Sequence, residues 1–188
     1  MKEIVKLGIS LLIFCAVAAL SLAFTNELTK DQIAKQRAEK ELAAKQAVLP
    51  EANEFEDLSA EELAKVQETH PTVAQISVAK SDGQDIGFVV KTLPMGFGGP
   101  ITVITGMDAE GKITGVRVAK HTESPGLGSK AQEPAYYEQY NGKSVADVKV
   151  TKGTPGEQEI VAISSATITS VAVTNGVNDA AVATTLGK

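Results

Sequence analysis

Residues 7–26 form a run of 20 positions without a charged side chain, rich in Leu, Ile, Val, Ala and Phe. About 20 such residues wound into a helix cover the hydrocarbon core of a bilayer. The run therefore predicts a single membrane-spanning helix, and everything after it is expected to be a tethered domain. Lys2 and Lys6 stand before the run, and Glu27, Lys30 and Asp31 after it. These flanks weakly favour a cytoplasmic N-terminus and a domain on the extracytoplasmic side. A cleaved secretory leader is the competing reading, because Ser21-Leu22-Ala23 has a small-x-small form. The helical pattern that continues past Ala23 favours a retained anchor. Cys15 lies inside the apolar run behind the bulky Phe14, where a lipidation site wants a small residue.

The chain of 188 residues is long enough for this anchor and one further domain. Its net charge of −5, with no isolated Lys/Arg cluster, gives a nucleic-acid partner no electrostatic support. With Cys15 as the one cysteine and His70 and His121 far apart, neither a disulfide framework nor a metal-ligand spacing is expected.

Residues 26–47 are rich in Ala, Glu, Lys and Gln, with Asp31/Lys35 and Glu41/Lys45 at helical i,i+4 spacing. They predict a helical stalk. Pro50 and the acidic residues 51–57 mark its expected end, and Ser59-Ala60-Glu61-Glu62 is a capping-box pattern opening a short helix. The expected organisation is an anchor over residues 1–26, a stalk and linker over 27–57 and a domain over 58–188.

After Pro71 the pattern changes to alternating and β-branched residues. Runs at 73–79 and 86–92 flank Lys80-Ser81-Asp82-Gly83, a hairpin signal, and runs at 101–106 and 112–119 repeat the arrangement. Four strands in an antiparallel sheet, with helices before and after, define an α+β domain.

Three segments carry possible chemistry. Met95-Gly96-Phe97-Gly98-Gly99-Pro100 lets the backbone approach another group closely, but has neither a dinucleotide-binding nor a P-loop spacing. His121-Thr122-Glu123-Ser124-Pro125-Gly126-Leu127-Gly128 is a compact loop at a strand end, a common place for a ligand or an ordinary connection. Finally, the apolar residues 160–163 run into Ser164-Ser165-Ala166-Thr167-Ile168-Thr169-Ser170. This reads as a strand entering a helix, with Ser164 as N-cap and Thr167 as the third helical residue. A hydroxyl there lies beside unpaired N–H groups and the positive end of the helix dipole, where a phosphate is stabilised. Val171, Val173, Val177, Ala180 and Ala181 would be the helix's apolar face.

The last of these segments resembles the Ser-Gly-Ala-Thr motif of the FMN-binding domains in the RnfG and NqrC subunits of bacterial respiratory complexes. The second closely resembles that family's His-x-Glu-Thr-Pro-Gly-Leu-Gly signature, and the first its Gly-Tyr/Phe-Gly-Gly segment. The resemblance covers roughly residues 96–181 and the anchor arrangement. It implies FMN esterified through its phosphate to Thr167, with Ser164, Ser165 and Ala166 around the phosphate. Glu123, Ser124, Gly126, Leu127 and Gly128 would line one side of the flavin. There are three departures from the pattern: Ser165 stands for Gly, Ser124 for Thr, and Val161 where many members carry an Asp used by the attaching enzyme.

The same resemblance implies an electron-relaying subunit of the Rnf complex, which couples electron transfer between ferredoxin and NAD⁺ to ion transport. Its partners would be the membrane, the other Rnf subunits and a flavin transferase using FAD and Mg²⁺. Thr167 is not expected to be a catalytic nucleophile, since no triad-like partner accompanies it. A subunit of the NqrC kind, or a non-redox tethered interaction domain, are the other functions compatible with the sequence.

Overall fold

The computed structural model describes residues 2–186 and divides into two compact units, residues 1–42 and 43–188. Helix α1, Lys2–Val48, runs through the whole first unit and ends inside the second. In the first unit its large apolar side chains among the described residues, such as Leu7, Leu12, Phe14, Leu20 and Phe24, are exposed. Among the described residues it is the one helix long and apolar enough to cross a membrane. Ser10, Ser21, Thr25 and Thr29 turn their hydroxyls back to carbonyls one turn earlier, so these polar groups are satisfied without solvent.

The second unit is built on a five-stranded antiparallel meander. Its strands, β1 Glu54–Asp57, β2 Val73–Ser81, β3 Gln84–Thr92, β4 Thr102–Asp108 and β5 Ile113–Lys120, lie in sequence order. The β2–β3 hairpin turns through Asp82 at φ 51° and Gly83 at φ 80°, with Ser81 facing Gln84. Two successive positive φ angles make the turn the primed type whose twist suits a hairpin, as Asp-Gly predicts. Helix α2, Ala60–Thr69, opens with the expected capping box of Ser59 and Glu62. Beyond the sheet come the short helix α3, Pro134–Tyr137, the parallel pair β6 Lys149–Thr151 and β7 Glu159–Val161, and helix α4, Thr167–Asp179.

One face of the meander carries the main core. Val73, Ile76, Val90, Ile101, Val103, Met107, Ile113 and Val116 cluster with Ala172, Val173 and Val177 of α4. Tyr136 and Tyr140, buried and edge to face at 5.8 Å, join their hydroxyls at 3.0 Å. The pair continues to the hydroxyl of Thr174 at 2.8 Å, while Tyr136 also donates to the Ser170 carbonyl. Burial pushes both phenols above their ordinary value, which keeps them neutral donors that tie α4 to the core.

The other face is covered by Val48, Leu49 and Ala52 against Ala79, Val89 and Ile104. Gly106 and Gly115 face each other across β4 and β5 and leave a notch for the end of α1. A Cβ on Gly106 would lie 2.5 Å from the Val48 carbonyl oxygen, and that oxygen accepts a 2.6 Å hydrogen bond from Thr114. Residues 43–57, expected from sequence to belong to the stalk and linker, are thus part of the compact domain, which begins at Ala43 rather than at residue 58. Their acidity conceals a strand. In β1 Phe55 packs with the second cluster, while Glu56 faces Lys80, and Asp57 takes hydrogen bonds from Lys45, Ser77 and Gln75.

Burial pushes the Asp57 carboxyl up, but those hydrogen bonds and the Lys45 charge outweigh it and hold it below its ordinary value. A carboxyl lowered in the folded state stabilises the protein above its unfolded value, here near 3.8. That stability is lost as the pH falls through the folded value. Asp57→Asn is therefore expected to lower the melting temperature at neutral pH, by an amount that shrinks as the pH falls below about 3.8. A loss that does not change with pH would assign Asp57 a role in shape alone. Gly106→Ala should cost about 1–3 kcal/mol in chemical denaturation, because the contacting atoms of Val48 are backbone. Unchanged stability would contradict the seating of α1 in the notch.

Candidate functional site

The two loops singled out in the sequence interlock. In the glycine loop after β3, Met95 pairs with Pro100, and Gly96 N–H reaches the Gly99 carbonyl at 2.9 Å. The loop after β5 grips it from the side. Thr122 donates its hydroxyl to the Gly98 carbonyl, and Gly98 N–H donates to Glu123 Oε1, both at 2.8 Å. This approach is why the loop needs glycine: a Cβ on Gly98 would lie 2.2 Å from the Thr122 carbonyl oxygen, and one on Gly96 2.5 Å from Glu123 Oε1. His121 accepts the Glu123 N–H through Nδ1, an internal role that shapes the loop.

Glu123 is the hub. The residue is 6% exposed, and its second oxygen, Oε2, accepts a hydrogen bond from the Thr169 hydroxyl on α4. Gly128 closes over the same spot, since a Cβ there would meet Glu123 Oε2 at 2.6 Å and Thr169 Oγ1 at 2.8 Å. One buried carboxylate thereby holds the glycine loop, its own loop and the start of α4.

The entry to α4 differs from the sequence expectation. Its N-cap is Ala166, without a side-chain cap, so Thr167 is the first helical residue and Ser164 is not the cap. Ser164 and Ser165 instead occupy a turn closed by Ala166 N–H to the Ile163 carbonyl at 3.0 Å, with Ser165 in the left-handed region at φ 63°. The hydroxyl that closes the segment comes from inside the helix. Ser170 Oγ accepts the Ile163 N–H at 2.9 Å and donates to the Ala166 carbonyl at 3.1 Å. The first α4 backbone hydrogen bond is Ser170 N–H to the Ala166 carbonyl. Among the described residues, the N–H groups of Thr167, Ile168 and Thr169 make none, as a helix start requires.

These walls enclose a cleft of about 370 Å³ lined by Phe97, Glu123, Ser124, Leu127 and Gly128 on one side. Ser165, Ala166, Thr167, Ile168 and Thr169 line the other. The size falls within the ~300–1,000 Å³ typical of small-molecule sites. Its rim is apolar, since Phe97, Leu127 and Ile168 are 71%, 44% and 57% exposed. Thr167, Ile168 and Thr169, whose N–H groups open α4, are among its lining residues. The Thr169 and Ser170 hydroxyls are engaged internally, whereas that of Thr167 makes no hydrogen bond among the described residues.

Of the sequence-expected site residues, seven line the cleft: Glu123, Ser124, Leu127, Gly128, Ser165, Ala166 and Thr167. Gly126 and Ser164 do not. Gly126, at φ 75°, makes the turn that lets its N–H reach Ser129 Oγ, and Ser164 occupies the turn before α4. Sequence reasoning missed Phe97, Ile168 and Thr169. Phe97 lies within a segment already singled out, and Ile168 is an apolar residue at a helix start outside that helix's apolar repeat.

A tethered domain whose cleft joins an apolar mouth to a helix start belongs, by its sequence, to the FMN-binding class: residues 96–182 match the FMN-binding domain family. Residues 1–48 match the RnfG N-terminal region. The chain is 40% identical over 186 residues to the G subunit of the Na⁺-translocating ferredoxin:NAD⁺ oxidoreductase complex of Acetobacterium woodii, covering 94% of this chain and 89% of that one. It is 35% identical to the G subunit of the ion-translocating oxidoreductase complex of Methanosarcina acetivorans, over 95% and 93% of the two chains. Among solved structures it resembles Shewanella oneidensis NqrC with a TM-score of 0.52 at 25% identity, over 56% of this chain and 54% of that one. The chain belongs to the RnfG family, the G subunits of ion-translocating oxidoreductase complexes.

The left-handed Ser165 generates a prediction. A non-glycine residue in this region costs on the order of 1 kcal/mol. Ser165→Gly should therefore raise the unfolding free energy by about that amount, whereas Ser165→Ala should not. A melting temperature unchanged or lowered by the glycine would contradict the strained turn.

Proposed function

We propose that the protein is the membrane-anchored flavin carrier of an ion-translocating ferredoxin:NAD⁺ oxidoreductase, relaying electrons through FMN esterified to Thr167. The observation that carries the attachment point is the state of the hydroxyls. Of the three hydroxyls in the first turn of α4, those of Thr169 and Ser170 are committed to Glu123, Ile163 and Ala166, which leaves that of Thr167, on the cleft wall, available for modification.

The residues present fit the group. A phosphate at the start of α4 would meet the N–H groups that the helix leaves unused and the positive end of its dipole. Phe97, Leu127 and Ile168 offer an apolar surface for a planar ring, and glycines 96, 98 and 128 keep the backbone clear of Glu123 and Thr122. Bound FMN supplies the redox chemistry, and the chain supplies orientation and a partly water-excluding wall.

Attachment needs an external activator, since no general base bonds to Thr167 among the described residues. Thr167 Oγ1 would take the FMN phosphoryl group from FAD in a Mg²⁺-dependent transferase. The Thr–O–P bond forms as the pyrophosphate bond breaks, and AMP leaves with the hydroxyl proton. A covalent link suits a domain outside the cytoplasm, where free FMN is scarce and a dissociated cofactor would be diluted away. The remaining subunits of the complex and the transferase are the partners this reading requires. The charges flanking residues 7–26 weakly favour the extracytoplasmic side for the flavin domain. The Rnf assembly is favoured over a quinone-reducing one because the G subunits match over nearly the whole chain at higher identity than NqrC.

Full-length protein produced with a flavin transferase should fluoresce as a flavin after denaturing electrophoresis. Thr167→Ala should abolish the signal with less than about 1 kcal/mol change in stability, as expected of a half-exposed side chain whose hydroxyl makes no hydrogen bond among the described residues. Ser165→Ala should retain the signal. Fluorescence kept by Thr167→Ala would exclude this attachment point, and a dark wild-type band would favour a non-redox interaction domain.

A further inference from the structure

Glu123 is a buried acid with no ion pair among the described residues, although it lies on the wall of the cleft. Both of its oxygens act as acceptors, Oε1 from Gly98 N–H and Oε2 from the Thr169 hydroxyl. A carboxylate only accepts, and the two donors placed at its oxygens are the partners it needs when buried. Three glycine positions are shaped around it or its loop, and a Cβ at Gly96 or Gly128 would strike its oxygens. A clasp between two loops and a helix does not require a charge. A neutral amide of the same shape could take the Gly98 N–H and donate to the Thr169 oxygen.

We propose, resting on the FMN reading above, that Glu123 is a positioning residue whose fixed negative charge sets the flavin's midpoint potential. Glu123 lines the cleft and is buried, so its charge acts through a medium less polarisable than water on electrons that reduction would bring into that cleft. A fixed anion disfavours their arrival and lowers the potential. The Gly98 N–H and the Thr169 O–H offset part of the charge, so their removal and its removal act in opposite directions.

The test is a redox titration of the full-length, flavin-loaded protein in detergent, followed by the flavin absorbance, together with the melting temperature of each variant. Glu123→Gln keeps the shape and both hydrogen bonds and removes the charge. At a fixed ambient potential it should raise the reduced-to-oxidised ratio about tenfold, which is about 30 mV for a two-electron couple. Thr169→Val strips one donor from the carboxylate and leaves the charge, and should move the ratio the other way. A purely structural role predicts lower melting temperatures in both variants with the potential unmoved or moved in the same direction, and either result overturns the proposal. Should Glu123→Gln fail to carry flavin, the direction of the Thr169→Val shift decides alone. Wild-type protein without covalent flavin would overturn the carrier function itself, which separates that failure from this one.

Discussion

The cleft exists because one carboxylate reaches two walls that are distant in sequence. Glu123 lies 25 residues from Gly98 and 46 from Thr169, and it bonds to both. With the Thr122 hydroxyl, which also bonds to Gly98, it lets the loop after β5 hold a glycine loop against its side and a helix start against its end. Burying such a group without partners would cost several kcal/mol, so the two donors and the close-fitting glycines are conditions for the loop's shape. Much of the motif spelled by residues 121–128 is thus explained by packing around Glu123. Gly128 must be small, and Gly126 must take a positive φ so that its N–H turns to Ser129. Leu127 and Ser124 are left to face the cleft.

Behind that arrangement the domain is held from both faces of the meander. On one face α4 packs through Ala172, Val173 and Val177, and is fixed by the hydrogen-bonded chain from Tyr136 through Tyr140 to Thr174. On the other the end of α1 is seated over Gly106 and Gly115. A helix start presenting unpaired N–H groups must be placed firmly, because its value as an anion site falls off within one turn. The buried tyrosines and the Ser170 hydroxyl, which joins Ile163 to Ala166, supply that firmness directly beneath Thr167.

The four central strands, the hairpin at Asp82-Gly83 and the capping box at Ser59 were legible because each rests on local chemistry. What escaped was set by distant parts of the chain. β1 was hidden behind Glu54, Glu56 and Asp57, whose charges read as a linker but lie on a strand edge opposite Lys80 and beside Lys45. β6 and β7, three residues each, are too short for periodicity to register. Ser164 looked like an N-cap because hydroxyls usually cap helices. No local signal told that Ser165 would take a left-handed φ and that the bonding hydroxyl would come from Ser170. Val171, expected in the helix's apolar face, is 39% exposed. The identities of the cleft residues came mostly from motif resemblance, whereas Phe97, Ile168 and Thr169 needed the fold to be seen.

The most direct measurement is peptide mass spectrometry of the protein purified from its native membrane. The peptide containing Thr167 should carry the mass of FMN less one water, with fragment ions assigning it to that residue. The same peptide found only at its unmodified mass, in protein that is correctly folded, would contradict the account.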